Sequence, residues 1–547
     1  MGIPSYYKKL VMTVKGLTGK STEAAAAHLW FDYNCLVYHV LRQMRPYVPA
    51  ERSAWEAELI AATVKYTKRV IQASGVLKPD PSSVFLGVDG PVPAAKVNQQ
   101  RRRRWNSVQT LEEERRMGKQ DGSPVWDRNA ITPGTHFMDA LSTALQAERG
   151  AWTVSPVEEA GEGEHKIMAR LRDLKESGAE TEPQTHILYG LDADLILLSL
   201  YHLRFLHPQS TFYLMREDER ESTAERTVYS YLNVNKLRDA LVTKIKRVGE
   251  DADAALMDYI FAMTLLGNDF LPHGLQLTLK GNGYEHLMRL LTQADRPQLI
   301  IRVDTGADAS ADTNQSLQWN SEGLAYVFRY YAGLEAGFIT DEIQHKREGV
   351  RRKVVYGDDE AEPWARAYSQ WMKTPSRRMD EYALVSDVYE DTVKLKAGWR
   401  QTYYRAWFGS VYRSAVCDAY LEGLHWVLRY YTGKPVNPFW YYPWNLPPLY
   451  ADLATRVSTI GIDSLIGGIM MPADFRLLLP TEQCAIVMPA SSLHLCKDKR
   501  YHRLPALVPH YYPAECRMFY VGKHQMWECE PLLPVLTVER LRTLFKE

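Results

Sequence analysis

No apolar run in this sequence approaches the roughly 20 residues that a membrane-crossing helix needs, which argues against a helical membrane protein. The opening residues, Met1 to Leu10, lack the apolar core of a secretory signal. Gly2 invites acylation, but Tyr6 stands where a myristoylation signal wants Ser or Thr. The six cysteines (Cys35, Cys417, Cys484, Cys496, Cys516, Cys529) form no CxxC pair. That disfavours a zinc site and a disulfide framework alike, and it predicts reduced thiols in an intracellular chain. An excess of one charge is also missing: 66 Lys and Arg face 66 Asp and Glu. Whole-chain electrostatics therefore do not mark a nucleic-acid binder, and any such partner is held by a local patch. There is no internal repeat and no long low-complexity tract.

What is present is a recurring unit, an apolar strand that ends in an acid. Ala27–Phe31 leads to Asp32 and then to a helix from Asn34 to about Met44. Ser83–Val88 leads to Asp89-Gly90, with a covering helix over Ala54–Ala73 between the two strands. Ala151–Val154 leads to Glu162, and His186–Tyr189 leads to Asp192. One such Asp is an ordinary cap or turn residue. Four in the first two hundred residues, alternating with helices, predict an α/β fold with a mostly parallel sheet wrapped on both faces.

Two stretches concentrate the acids. Gly161-Glu162-Gly163-Glu164-His165-Lys166 pairs two carboxylates with two glycines that permit a tight turn before a helix over His165–Leu174. Gly190-Leu191-Asp192-Ala193-Asp194 pairs two more at the carboxyl end of a strand, where open α/β sheets place their ligands. Carboxylates gathered at strand ends repel one another unless a cation sits among them, and a divalent metal site is the simplest account. Farther on, the apolar helix Asp258–Leu266 is halted by Gly267-Asn268-Asp269 and Pro272.

A basic segment follows Asp89. Four consecutive arginines, Arg101 to Arg104, read as a localisation patch, a solvated face or a binding face. Spacing favours the last: Lys96, Gln100, Arg103 and Arg104 stand at i, i+4, i+7 and i+8, on one side of a helix. An ammonium, an amide and two guanidinium forks suit a terminal phosphate.

From Glu342 to Arg378 the chain is charged and carries Gly349, Gly357 and the acidic run Asp358-Asp359-Glu360; this reads as a mobile linker or insertion. The expected division is 1–341, 342–378 and 379–547. The last part is rich in aromatics, from Trp399 to Trp444, and predicts a second, largely helical lobe. Aromatics at helical spacing are usually core, but prolines from Pro435 to Pro448 put some of them on loops.

These residues together resemble the Xrn family of 5′-to-3′ exoribonucleases. Met1–Pro4 with Tyr6-Tyr7, Asp32-Tyr33-Asn34, Val88-Asp89-Gly90 through Arg104, Ile131–Thr135, Gly161–Lys166, Gly190–Ile196 and Gly267–His273 are similar to its motifs, in the same order. Gly423–Leu428 and Trp440–Pro443 resemble its second region more loosely. The resemblance implies a 5′-nuclease, PIN-like core and a site of two metal ions, Mg²⁺ or Mn²⁺, held by Asp32, Asp89, Glu162, Glu164, Asp192, Asp194 and Asp269. It implies that Lys96, Gln100, Arg103 and Arg104 hold the 5′-phosphate of the substrate. Where the family carries a base-stacking His, this chain has Tyr38, with His39 beside it; Trp440 matches the opposing stacker. Long C-terminal extensions of some relatives are not expected.

The expected function is therefore processive, metal-dependent 5′-to-3′ hydrolysis of single-stranded RNA bearing a 5′-monophosphate. A decapping enzyme is the candidate protein partner, a monomer the favoured state, and the cytoplasm the favoured compartment, with the nucleus as the alternative. Two rivals stand beside this reading: a DNA-directed 5′ nuclease, and a catalytically silent RNA-binding or assembly protein on the same fold. None of the seven acids is lost, which disfavours the silent form.

Overall fold

The computed structural model describes residues 6–119, 123–148, 150–223, 226–275, 277–279, 281–304, 315–351, 362–389, 392–465, 470, 472 and 475–545. Met1–Pro4 and the Gly357 to Glu360 stretch lie outside the described residues.

Seven strands form one sheet: β1 (Thr18–Gly19), β2 (His28–Asp32), β3 (Val84–Gly87), β4 (Thr153–Ser155), β5 (Thr185–Tyr189), β6 (Thr211–Glu217) and β7 (Tyr229–Asn233). Their order is β1-β7-β6-β5-β2-β3-β4. The five strands from β4 to β6 pair in parallel. β7 and β1 add an antiparallel edge, which the strand-then-acid pattern did not reveal because neither strand ends in a site acid. The mostly parallel α/β expectation otherwise holds.

The strands are apolar on both sides, as a sheet covered on both faces requires. Trp30, Phe85, Leu188 and Phe212 enter one core. Leu29, Phe31, Val84, Leu86, Ile187 and Tyr189 enter the other. The helices of this half, in chain order, are α1 (Tyr6–Thr13), α2 (Tyr33–Leu41), α3 (Arg52–Ser74), α4 (Ala94–Arg116), α5 (His136–Ala147), α6 (Gly163–Glu176), α7 (Asp194–His202), α8 (Val234–Ile245) and α9 (Ala252–Met263). The first core takes side chains from α6 through α9. The second takes them from α2, α3 and α5.

The rest is mainly helical: α10 (Gly283–Leu291), α11 (Ser321–Arg351), α12 (Pro363–Met372), α13 (Trp399–Trp407), α14 (Arg413–Tyr431), α15 (Tyr450–Ile460), α16 (Pro480–Val487), α17 (Leu504–Leu507) and α18 (Val538–Leu544), with short hairpins such as β8 (Ile300–Asp304) against β9 (Gln315–Trp319). These elements close a small core of their own, around Ile343, Leu384, Tyr403, Phe408 and Val416, and also reach the sheet. Tyr420, Leu424 and Leu453 of α14 and α15 join the first core, while Cys484, Ile486, Leu536 and Leu541 join the second. The sheet is packed by the late chain on both faces.

The expected linker at 342–378 is corrected over much of its described part. α11 runs unbroken through residue 342 to Arg351, and α12 follows. Glu342 and Lys346 are buried, and Lys346 Nζ lies 2.5 Å from Glu381 Oε1 and donates to the Tyr520 carbonyl at 3.0 Å. Composition suggested solvent because the charges are numerous; here they are paired inside the protein. No helix among the described residues is long and apolar enough to cross a membrane.

Candidate active site

The chain leaves β2 toward β3 and β4 on one side, then returns to β5 and β6 on the other. β2 and β5 are parallel neighbours, with Phe31 opposite Tyr189. Their carboxyl ends therefore form the topological switch point, the crevice in which such sheets bind ligands. Asp32 is the last residue of β2, Asp89 lies two residues beyond β3, and Asp192 and Asp194 follow β5. Glu162 caps α6 and Glu164 sits in its first turn.

Glycines bring these pieces together. A Cβ at Gly163 would come within 2.3 Å of the Gly87 carbonyl oxygen and 3.0 Å of Asp32 Oδ1. Without it, the start of α6 reaches the end of β3, and the Gly163 amide donates to Asp89 Oδ1 at 2.8 Å. Asp269 arrives from the loop after α9. Gly267 adopts a φ of +104° there, and Asn268 Oδ1 accepts from the amides of Phe270 (2.8 Å) and Leu271 (2.9 Å), fixing the turn.

The electrostatics are those of crowded anions. Burial, then Asp89, Asp192 and Glu162, push the Asp32 carboxyl well above its usual range. Burial and Glu162 raise Asp89. Burial and Glu162 raise Glu164 strongly, and burial with Asp269 takes Asp194 to about 7. Two acids go the other way. Burial, the largest single influence, would raise Glu162 and Asp269, but Lys96, by charge and hydrogen bond and together with other nearby positive charge such as Arg103 at Asp269, holds both below their usual values.

Lys96 is thus found inside the acid set: its Nζ lies 2.6 Å from Glu162 Oε1 and 2.7 Å from Asp269 Oδ2. Burial alone would lower it, yet Asp269, Glu162 and Glu164 hold it well above the usual lysine range. Its position differs from the open phosphate face expected, because the unbalanced carboxylates attract the nearest ammonium. The four arginines also part company. Arg101 is buried, donates to the carbonyls of Ile486 and Tyr511, and lies 5.2 Å over the Tyr512 ring. Arg102 pairs with Glu530 at 2.7 Å. Arg103 is exposed, and Arg104 is half-buried with Nη1 3.4 Å from Asn129 Oδ1. Gln100 Oε1 accepts from Gln483 Nε2 at 3.3 Å. A continuous exposed basic run does not exist, since its first two members are spent holding α4 to the late chain.

The two expected stackers differ. Tyr38 is half-buried against the second core. His39 does not stand in for the family's His: its ring stacks on Tyr66 at 4.8 Å and its Nδ1 lies 3.8 Å from Glu217. Trp440 belongs to the first core, 8% exposed, with its ring stacked on Trp426 at 5.2 Å and fitted against Gly423. The stacker expected at Trp440 is thus packed into this core, and the proline-rich loop that carries it folds back onto α14.

Residues the sequence reading passed over complete the site. Tyr430 OH donates to Glu162 Oε2 at 2.9 Å, and its ring lies 4.0 Å from that of His165. Burial lowers His165 to about 4, leaving the imidazole neutral, and its buried Nε2 has no hydrogen-bond partner. Lys166 donates to the carbonyls of Val88 (2.7 Å) and Pro156 (3.1 Å), bracing the strand end. Donor atoms of Glu162, Glu164 and His165 lie within 4.8 Å of one another, and among the described residues the other acids do not close to that span. The signal for His165 and Lys166 was their place directly after the paired glutamates. Tyr430, over two hundred residues away, gave none.

Comparison with known proteins agrees with this geometry. The XRN 5'-3' exonuclease N-terminus matches residues 1–218, and the Xrn1 helical domain matches residues 335–547. A 5'-3' exoribonuclease 2 of Debaryomyces hansenii is 27% identical over 667 aligned residues, covering 94% of this chain and 65% of that protein. A 5'-3' exoribonuclease 1 of Homo sapiens is 26% identical, covering 84% of this chain and 29% of the relative. For a 5'-3' exoribonuclease 2 of Arabidopsis thaliana the values are 26%, 84% and 57%. The chain thus spans about two thirds or less of the length of these relatives. Both of the family's regions lie along it in order, one contributing the strand-end acids and the other the tyrosine that grips Glu162, and the chain belongs to the Xrn family.

Proposed function

We infer that the protein is a divalent-metal-dependent 5′-to-3′ exoribonuclease that removes nucleoside 5′-monophosphates successively from single-stranded RNA with a 5′-monophosphate. One observation carries this reading: carboxylates from four strand-end units and a distant loop converge at the switch point of the sheet, beside the start of α4. The names of the relatives support the substrate class.

The donor set fits hard divalent cations. It is made of carboxylate oxygens, and the upward push on Asp32, Asp89, Glu164 and Asp194, from burial first and from neighbouring acids second, is one that a bound cation would oppose. Asp32, Asp89, Glu162, Glu164, Asp192, Asp194 and Asp269 are the proposed ligands of Mg²⁺ or Mn²⁺. Bound divalent ions supply an activated water and stabilise charge on the leaving oxygen. Hydrolysis adds a water oxygen to phosphorus and releases the 3′-oxygen, freeing one mononucleotide per cycle.

The remaining roles belong to the chain's own side chains. Tyr430 fixes one oxygen of Glu162 while Lys96 balances the other. Arg103 and Arg104, with Gln100, receive the terminal phosphate on the face of α4 that they share with Lys96. Tyr38 offers a flat face to the leading base. A triphosphate would carry extra charge toward the carboxylates, and a cap would add bulk there. RNA freshly decapped to a monophosphate is the fitting substrate, so a decapping enzyme is the fitting upstream partner.

The test is turnover of one RNA sequence carrying a 5′-monophosphate, hydroxyl, triphosphate or cap, with Mg²⁺ and with EDTA, beside the matched DNA strand. Mononucleotides should appear fastest from the monophosphate and vanish with EDTA. Oligonucleotide products, or faster DNA cleavage, would overturn the proposal.

A further inference from the structure

Beside the Glu162 turn, the start of α4, the loop 433–441 and the segments 475–478 and 535–539 line a cavity of about 390 Å³. Most of its wall is apolar, including Val97, Val436, Phe439, Phe475 and Leu536. His165 and Tyr430 line it too, so it backs onto the acid cluster.

Three cations stand in this wall: Arg172, Lys434 and Arg476. None of the three has an ion-pair partner among the described residues. Arg172 is the built one. Its Nη1 lies 2.8 Å from His202 Nε2, and His202 Nδ1 lies 2.8 Å from the Leu198 carbonyl. The ring nitrogen facing Leu198 therefore carries the proton, and the one facing Arg172 accepts. Burial and Arg172 hold that imidazole neutral, so the guanidinium charge is positioned without being cancelled. Gly433 makes room for it: a Cβ there would come within 2.3 Å of the guanidinium carbon, and the residue adopts a φ of +72°. The one carboxylate in the wall, Glu539, is exposed at the rim.

A cavity within the roughly 300–1,000 Å³ range of small-molecule sites, apolar in its walls and carrying unpaired positive charge, selects its occupant by chemistry. We propose that it binds a small organic anion, an apolar body bearing one acidic head group, with the head on Arg172 and the body against Phe439, Phe475 and Leu536. The proposal does not depend on the nuclease reading.

The probe is 1-anilinonaphthalene-8-sulfonate, an aromatic body with a single anionic group, and its uncharged analogue N-phenyl-1-naphthylamine serves as control. Fluorescence titration of the wild-type chain should saturate at one site. Arg172→Met should weaken the sulfonate at least tenfold and leave the uncharged dye unchanged, and Arg172→Lys should restore part of the loss. Val535→Trp fills the cavity from a wall residue outside the acid set and should abolish binding of both dyes. Displacement by decanoate would identify an aliphatic acid as the natural class, and displacement by adenosine monophosphate an aromatic one. Non-saturating fluorescence, or saturation that survives Val535→Trp, would overturn the site. Equal sulfonate affinity in wild type and Arg172→Met would overturn the head-group assignment. If Arg172→Met lowers the melting temperature, Val535→Trp alone decides. Since the readout is fluorescence, failure here leaves the exonuclease proposal standing, and loss of turnover leaves this one standing.

Discussion

Asp258, on α9, is fully buried, and Asp194 and Glu162 at the edge of the large sheet are buried almost as deeply. Their surroundings differ. Asp258 pairs with the buried Arg296 and accepts the amides of Leu299 (2.9 Å) and Ile300 (2.8 Å) through its other oxygen. Burial still pushes its carboxyl up, but one guanidinium and two amides oppose the push. At the strand ends seven acids face two buried lysines, Lys96 on Glu162 and Asp269 and Lys166 near Asp89, and four of the acids are still driven upward by burial and one another. A balanced buried charge is architecture. An unbalanced one persists at a cost to folding, and that marks a site where something else supplies the missing charge.

The contrast is broken most sharply by removing one acid from each cluster. Asp194→Asn deletes a proposed ligand and should lower RNA turnover by several orders of magnitude, each tenfold being about 1.4 kcal/mol of barrier. Its melting temperature without metal should hold or rise, because a repelling charge is gone. Asp258→Ala should do the reverse. Leaving the buried Arg296 with only the longer contact to Glu250, at 3.5 Å, should cost up to roughly 3–5 kcal/mol of stability, while turnover per folded molecule stays near wild type. Adding Arg296→Met should recover much of that loss. An Asp194→Asn variant that melts early with normal turnover would reverse the assignment of the two clusters.

The same contrast explains what could be read from the sequence. The acids of the strand units were legible because an Asp or Glu after an apolar strand has few structural uses in such number. The α/β sheet was legible for the same reason, whereas β6 and β7 carry no site acid and went unplaced. Pairing across long distances was not legible. Nothing near Lys346 announces Glu381, and nothing near Arg101 announces the carbonyl of Ile486, so a helix read as a linker and a buried arginine read as part of a basic run. The packing of Trp440 was hidden for a related cause: its neighbours in sequence include prolines, but its neighbours in space are Trp426 and Gly423.

Within α4 the comparison narrows to arginines two residues apart. Arg103→Ala should cost about ten- to hundredfold in rate on 5′-phosphorylated RNA, on the scale of roughly 1.5–3 kcal/mol for a charge-assisted hydrogen bond. Rates on 5′-hydroxyl RNA should change little. Arg101→Ala should instead lower the melting temperature and treat both ends alike. Equal proportional losses on both ends in Arg103→Ala would reduce it to a general backbone contact.

A smaller effect follows from the raised carboxyls. A carboxyl whose folded value lies above its unfolded one binds protons better when folded. It therefore costs stability as pH rises from the ordinary carboxylate range to the folded value, which for Asp194 is about 7. Without divalent ions the melting temperature should fall between about pH 5 and 7 and level off above. Mg²⁺ competes with those protons, so its apparent affinity should strengthen over the same interval and flatten the decline. Thermal melts at several pH values, with EDTA and with Mg²⁺, read both. A metal-free chain that grows steadily more stable toward pH 7 would mean that Glu162 and Asp269, whose carboxyls are held low, dominate the balance.

The smallest effect tests the link between the two halves of the chain. Tyr430 reaches Glu162 from α14 and donates to the oxygen that Lys96 leaves free. Tyr430→Phe keeps the ring against His165 and Phe270 and removes only the hydroxyl. A hydrogen bond to a charged group contributes about 1.5–3 kcal/mol, but Glu162 keeps its lysine and would gain a metal, so the net loss should fall at the low end. Turnover should drop by about tenfold or less and the melting temperature by a few degrees, with most of the rate recovered at high Mg²⁺ if the hydroxyl orients a ligand. A drop of the size seen for Asp194→Asn would make Tyr430 a direct participant. No change in either rate or metal dependence would reduce it to packing.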